Sequence, residues 1–175
     1  MSPVHLISRT RRVSGSAVLS MLFVLCLVLE GWAAPNQVEV KEDPSGLRLQ
    51  VDGRDFMVLG MNWDYFPIGT NYTYSLWTKS DEFIKDALSR EMPLLRSMGV
   101  NSIRAYVGMP PQWVQYVYET YGIYTIINHP MARYGFTLDG VWIPSVDYSD
   151  PKLRSAVKEE ILSMVEDYRN TPGLL

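Results

Sequence analysis

The feature that most constrains this chain is a helix that ends at a glycine and passes directly into a strand. In the stretch 98–107, Gly99 ends an amphipathic helix and a segment rich in β-branched residues follows at once. The junction recurs around Gly122, and a third begins in the stretch 171–175. Repeated helix-to-strand steps predict an α/β fold, and this order is typical of a TIM (β/α)8 barrel. We predict that the chain contains about the first three βα units, with the fourth strand beginning at its end.

Hydrophobic alternation predicts how the chain enters that barrel. The stretches 38–40 and 47–51 alternate apolar and polar side chains around a turn, which predicts an amino-terminal β-hairpin. The almost continuous apolar run 56–61 predicts barrel strand one, buried on both faces. A long loop rich in aromatic and amide side chains follows it, and loops of that length are usually functional.

The remaining elements follow the same order of helix, then strand. A helix containing Pro93, where a kink or a restart is expected, leads to strand two at 100–107. A shorter helix opening at 110–111 leads to strand three at 123–128, and a second long loop follows. Asp150 then caps the last helix, which carries the cleanest amphipathic stripe in the chain.

The first thirty-three residues have the pattern of a secretory signal peptide. Three arginines precede an apolar run over 17–29, and small residues follow, which predicts export with cleavage after Ala33. A membrane anchor is the rival interpretation, but this run is shorter than the roughly 18 apolar residues that span a bilayer. We therefore predict that residues 1–33 are a signal peptide and that residues 34–175 belong to a secreted, periplasmic or cell-surface protein.

Removing this signal limits the chemistry of the remaining chain. It takes away three arginines and one glutamate, so the formal charge changes from −3 to −5, which excludes a basic nucleic-acid or anionic-membrane footprint. Cys26, the only cysteine, leaves with it, and His129 remains as a single histidine. We expect no metal site, no cofactor, no nucleic-acid partner and no stable membrane insertion after cleavage.

Polar and aromatic side chains follow the predicted strands, at the end of a βα barrel where active sites are built. The candidate site residues are Asn62, Trp63, Asp64, Tyr65, Arg104, Tyr106, Asn128 and His129. Four loop aromatics join them, namely Tyr72, Trp77, Tyr134 and Trp142. Hydroxyl groups need directional partners and the C–H faces of a sugar ring stack on aromatic rings, so this set suits a neutral carbohydrate.

Each candidate also has a structural interpretation. Aromatic side chains in a long loop commonly pack against the loop itself. Arg104 can pair with a structural carboxylate, His129 can cap a turn beside Pro130, and Asp64 can stiffen the loop after strand one.

The glutamates restrict what this chain can complete as an enzyme. Those after the predicted hairpin all fall in predicted helices: Glu82, Glu91, Glu119, Glu159, Glu160 and Glu166. Hydrolysis of a glycosidic bond generally requires two carboxylates at the active site. We therefore assign no catalytic residue within this chain and expect it to be inactive alone.

Three stretches carry a resemblance to a known enzyme class: 52–62, 92–104 and 121–124. Through them the sequence resembles glycoside hydrolases of the large retaining (β/α)8 clan, especially family 2, the β-galactosidase and β-glucuronidase family. It also looks like the β-1,3-glucanosyltransferases of family 72. The resemblance implies that Arg104 lies beside a nucleophilic glutamate on strand seven. It also implies that an Asn-Glu pair carrying the acid/base ends strand four, so both glutamates are expected beyond residue 175.

The first hypothesis is therefore a secreted glycoside hydrolase with a retaining two-glutamate mechanism, of which this is the amino-terminal part. The alternatives are a non-catalytic carbohydrate-binding or cell-surface protein on the same barrel, a β-glucan transglycosylase, and another βα-repeat enzyme. An Asn-Glu pair after the next strand would favour the first hypothesis, and its replacement would favour the non-catalytic protein.

Overall fold

The computed structural model describes residues 34–106 and 108–175, which form a mixed α/β fold. The predicted signal peptide and Val107, the last residue of predicted strand two, lie outside the described residues. The strands are β1 Val38–Asp43, β2 Gly46–Val51, β3 Arg54–Asp55, β4 Gly60–Asn62, β5 Ser102–Ala105, β6 Tyr124–Ile127, β7 Phe136–Leu138 and β8 Val141–Ile143. The helices are α1 Asp81–Ser97, α2 Pro111–Tyr121 and α3 Pro151–Tyr168, and a 3-10 turn covers Leu76–Thr78.

The first sheet confirms the predicted amino-terminal hairpin. β1 pairs antiparallel with β2, with Val38 opposite Val51. β3 continues the sheet after a two-residue turn at Asp52 and Gly53, whose φ angles of 50° and 76° are those such hairpin turns require.

The second sheet is parallel and contains β4, β5 and β6 in that order. α1 connects β4 to β5, and α2 connects β5 to β6. Beyond β6, Thr125 donates its backbone N–H to the carbonyl of Gly173 at 2.8 Å and accepts one from Leu175 at 2.9 Å. The described residues therefore hold three parallel strands and one further parallel bridge, and they do not close a barrel.

Strand one differs from its prediction in length and in burial. The predicted strand covered 56–61 and was buried on both faces, whereas β4 is Gly60–Asn62, Met57 is 76% exposed and Leu59 is 55% exposed. Within the described residues β4 is paired only on its β5 side, so the other side is an edge. The preceding segment is held by a side chain instead: Asn101 accepts a hydrogen bond from the Leu59 N–H at 2.9 Å and donates one to the Met57 carbonyl at 2.8 Å.

The second long loop contains a hairpin that the sequence interpretation missed. β7 and β8 pair antiparallel around Asp139 and Gly140, which have φ angles of 52° and 78°. An Asp-Gly pair between short apolar runs is a strong hairpin signal, so this hairpin could have been predicted from the sequence.

The helices begin and end close to their predicted positions. Ser80 caps α1, which continues through Pro93 without the restart considered above. Gly122, at φ 64°, ends α2, and the Asp150 carboxylate caps α3 by accepting from the Lys152 N–H at 2.8 Å. None of the helices in the described ranges is long and apolar enough to cross a membrane.

The main core lies between the parallel sheet and the helices α1 and α2. Its most buried side chains are Ile84, Leu88, Met92, Ile103, Val114, Val117 and Ile123. A smaller cluster joins the second loop to α3 through Ala132, Leu153 and Val157. This packing fixes the carboxyl ends of β5 and β6 relative to the loops that follow them.

Asn36 connects distant parts of the chain through its side-chain amide. The nitrogen donates to Asp52 at 2.8 Å and to the Tyr118 hydroxyl at 3.0 Å, while the oxygen accepts from the Gly173 N–H at 2.8 Å. These bonds join the amino-terminal hairpin, α2 and the segment that forms the further parallel bridge beside β6.

Candidate functional site

A cavity of about 1110 Å³ opens where β5 and β6 end. Its lining comes from Arg104 of β5 and from the segments that follow β4, β5 and β6: Asp64, Phe66, Tyr72, Tyr106, Asn128, His129, Pro130, Met131, Arg133, Tyr134 and Tyr148. A concave site with aromatic walls and a few convergent polar groups has the composition of a small-molecule site.

Arg104 lies on this wall and is held by two neutral side chains. One guanidinium nitrogen donates to the Tyr106 hydroxyl at 2.7 Å, and the other donates to the Asn128 amide oxygen. The guanidinium carbon also lies 4.5 Å from the centre of the Tyr106 ring. Within the described part of the chain Arg104 forms no salt bridge, so the structural carboxylate considered as its alternative partner is not found there.

The parallel register brings these side chains together. Asn62, Arg104 and Ile126 lie side by side in β4, β5 and β6. One step further, the Asn128 N–H donates to the Ala105 carbonyl at 3.1 Å, which places Asn128 next to the end of β5. Because parallel strands end at the same edge of a sheet, residues 24 positions apart converge on one wall.

Asp64 connects two of the strand ends. Its carboxylate accepts a hydrogen bond from the Tyr106 N–H at 3.3 Å, so it ties the loop after β4 to the end of β5. Asp64 also lines the cavity. Its position therefore fits both the stiffening role and the site role that the sequence allowed.

His129 forms a turn and contacts a helix. Its Nδ1 accepts the Met131 N–H at 3.0 Å, which is the turn-capping geometry expected of it, and its Nε2 lies 3.5 Å from a carboxylate oxygen of Glu160. Glu160 belongs to α3, as predicted, and does not line the cavity itself. The helix packs close enough to the second loop for its carboxylate to reach a residue of the cavity wall.

Three candidate residues lie outside the cavity. Trp63 is only 6% exposed, and its indole N–H donates to Glu91 at 2.7 Å, so it belongs to the core. Tyr65 accepts a long hydrogen bond from Arg90 at 3.5 Å, over α1. Asn62 is exposed on the edge strand β4. The loop aromatics divide in the same way, because Tyr72 and Tyr134 line the cavity while Trp77 packs near Trp63 and Trp142 lies outside it.

Five lining residues were not among the candidates: Phe66, Pro130, Met131, Arg133 and Tyr148. The β7–β8 hairpin folds the second loop back on itself, and the Tyr148 hydroxyl donates to the Met131 carbonyl. A hairpin turn predicted at Asp139-Gly140 would have led us to place Tyr148 on the same cavity wall as Tyr134.

Among the described residues, the side chains that commonly bind metal ions are not clustered. No group of three histidine, cysteine, aspartate or glutamate side chains in 34–106 and 108–175 is arranged to hold a metal ion. Burial, followed by hydrogen bonding with a neighbouring tyrosine, raises the pKa of Tyr121 and of Tyr124 to about 12. Neither phenol lines the cavity.

Comparisons with known proteins gave structural matches only. No protein-family model matches the chain, and no curated protein gives a significant match. The chain is similar to the crystal structure of the exo-chitosanase CsxA of Amycolatopsis orientalis, with 19% identity and a TM-score of 0.47. It is also similar to the exo-β-D-glucosaminidase CsxA studied with a glucosamine-configured castanospermine and an amino-australine analogue, with 18% identity and a TM-score of 0.48. Each match covers 79% of this chain and 15% of the other chain, so the chain spans about one seventh of those proteins.

Proposed function

We propose that this chain is the amino-terminal part of a secreted glycoside hydrolase with a (β/α)8 barrel, and that the cavity forms part of its carbohydrate site. The observation that carries the proposal is Arg104. Its guanidinium lies on the cavity wall, is held in place by Tyr106 and Asn128, and has no carboxylate partner among the described residues.

The barrel part of the proposal is supported by the order of the parallel strands. β4, β5 and β6 follow one another along the chain and across the sheet, with a helix in each connection. Leu174 begins a further parallel pairing beside β6. A βα barrel is built by continuing this step until the sheet closes, which would also cover the exposed edge at β4.

The chemistry assigned to Arg104 follows from its shape. A guanidinium donates two parallel hydrogen bonds to one carboxylate, which orients the carboxylate and favours its charged form. In a retaining glycosidase this carboxylate attacks the sugar, while a second carboxyl group donates a proton to the leaving oxygen. We place both carboxylates on later strands, and we assign the aromatic walls of Tyr72, Tyr134 and Tyr148 to binding the sugar faces.

The experiment compares two arginine-to-lysine variants of the full-length protein on a panel of aryl β-glycosides, the glucosaminide among them. Arg104→Lys should lower turnover by at least about tenfold, or roughly 1.4 kcal/mol in the barrier, because lysine is a point charge without the planar fork. The acidic limb of the pH profile should move to higher pH, since the nucleophile loses the group that stabilises its charged form. Arg90→Lys is the control, because Arg90 lies exposed on α1 in an ion pair with Asp86.

Unchanged turnover and an unchanged acidic limb in Arg104→Lys would show that Arg104 is structural. A full-length protein that binds the glycosides without cleaving any of them would instead favour the non-catalytic carbohydrate-binding protein. Transfer of the sugar to an added carbohydrate in place of water would identify a transglycosylase.

A further inference from the structure

Trp142 is a large aromatic side chain held in place at the surface. It lies on β8 and is 59% exposed. Its ring rests directly on the backbone of Gly135, because a Cβ atom at Gly135 would lie 2.2 Å from one ring carbon and 2.5 Å from the next. Gly135 has a φ angle of 109°, a conformation that glycine adopts readily and other residues rarely adopt. The ring can therefore occupy this position only because residue 135 has no side chain.

The hairpin that carries Trp142 is anchored from its other face. Trp142 pairs with Thr137 across the hairpin, and successive residues of a strand point to opposite faces. The neighbouring pair, Phe136 and Ile143, packs against the small cluster with Leu153 on α3. The ring of Trp142 is thus presented outward on a supported hairpin.

The Trp142 ring lies outside the cavity lining and is connected to it through Gly135. Gly135, on which the ring rests, directly follows Tyr134, which lines the cavity and is 75% exposed. A tryptophan that stays more than half exposed gains little from burial, so its fixed position is not explained by core packing. A flat apolar face of this kind suits the C–H face of a sugar ring, and its indole edge retains a hydrogen-bond donor.

We propose that Trp142 is an outer subsite that stacks on a sugar further along a carbohydrate chain whose end occupies the cavity. The inference rests on the proposed carbohydrate site and adds the substrate class, which is an oligosaccharide or polysaccharide chain. Sugars within the cavity contact its own walls, and only a longer chain reaches Trp142.

The test measures binding of short and long carbohydrates to the full-length protein by titration calorimetry. The probes are soluble oligosaccharides of β-1,3- and β-1,4-glucan, mannan, xylan, galactan and chitosan, each with two and with six sugars. For the wild type we expect at least one series in which the hexasaccharide binds more tightly than the disaccharide. Trp142→Ala should reduce that ratio by about fivefold, the size expected for one aromatic stacking contact.

Further variants separate stacking from other effects. Trp142→Phe should keep most of the ratio because it keeps a flat ring, whereas Trp142→Leu should lose it. Gly135→Ala should behave like Trp142→Ala, since the added methyl group displaces the ring. Phe83→Ala is the matched control, because Phe83 is an exposed aromatic residue on α1, outside the cavity lining. Thermal unfolding confirms that each variant is folded. If Gly135→Ala does not fold, the binding ratio of Trp142→Ala alone decides whether Trp142 is the outer subsite.

The outcomes separate this inference from the function on which it rests. A ratio that is unchanged in Trp142→Ala, while the wild type still binds carbohydrate, overturns the outer subsite and leaves the cavity assignment intact. A wild-type protein that binds none of the series overturns both.

Discussion

Asn101 should contribute measurably to stability, because its side chain replaces a missing stretch of strand pairing. The chain before β4 is not hydrogen bonded to β5 as a regular ladder. It is held by the Asn101 amide, which bonds the Leu59 N–H at 2.9 Å and the Met57 carbonyl at 2.8 Å. Asn101→Ala removes both bonds, and with them the bond from the Ser102 hydroxyl, while the backbone of Asn101 keeps its own contacts with Leu59 and Tyr124.

The expected loss is about 3 kcal/mol in the free energy of unfolding. Each hydrogen bond contributes about 1 kcal/mol net, and three are lost, because the buried Ser102 hydroxyl also donates to the Asn101 side-chain oxygen at 3.2 Å. The loss should not be much larger, because the segment around Leu59 is exposed and water can replace the lost partners. Asn101→Asp should lose less, since it keeps an acceptor for the Leu59 N–H and removes only the donor to Met57.

The assay is urea unfolding of the full-length protein together with hydrogen exchange of the Leu59 amide. Asn101→Ala should lower the midpoint and speed exchange at Leu59, and Asn101→Asp should lie between it and the wild type. Asn170→Ala is the control, because Asn170 is exposed beyond α3. The reasoning is refuted if Asn101→Ala unfolds within about 0.3 kcal/mol of the wild type, a difference typical of surface changes, and exchange at Leu59 is unaltered.

Three further predictions follow from other features. Hydrogen bonds from the Asn36 side chain, and then from a backbone N–H, hold the pKa of the Asp52 carboxyl below its usual value, so Asn36→Ala should raise that pKa in a carboxyl NMR titration. Because that pKa is lowered in the folded state, the contact should stabilise the fold at neutral pH and be lost as the pH falls through it. Amino-terminal sequencing of exported protein should begin directly after Ala33, and retention of the apolar run would contradict this. Residues 34–175 made alone should aggregate, because the β4 edge and Leu59 stay exposed. They should also cleave no glycoside, because both catalytic carboxylates are proposed to lie on later strands. A soluble monomer with cooperative unfolding, or glycoside cleavage by this fragment, would argue against it.

Local signals predicted much of the fold. Gly99 and Gly122 end their helices with φ angles of 85° and 64°, as a glycine after a helix does. Such local signals could not predict the burial of strand one, because the environment of residues 56–61 depends on which strands and helices pack against them. The β7–β8 hairpin was missed for another reason: each strand has three residues, too few to show alternation, and only the turn at Asp139 and Gly140 marks it.

The candidate site was predictable where it depends on strand ends. Arg104, Tyr106 and Asn128 meet because parallel strands deliver them to one edge. Trp63 shows the limit of that argument, since it follows β4 directly and yet turns into the core, while the next residue lines the cavity. Glu160 shows another limit, because no spacing in the sequence reveals where α3 lies against the second loop.

The side chain of Asn36 links this architecture to the order in which the chain is made. Its bond to Gly173 joins residues that are 137 positions apart. A ribosome that adds 5–20 residues per second needs about 7 to 27 seconds to make that length of chain. Throughout that time the amino-terminal hairpin lacks its contact with the Gly173 backbone. The rate of synthesis should therefore affect the yield of this protein in addition to its final stability.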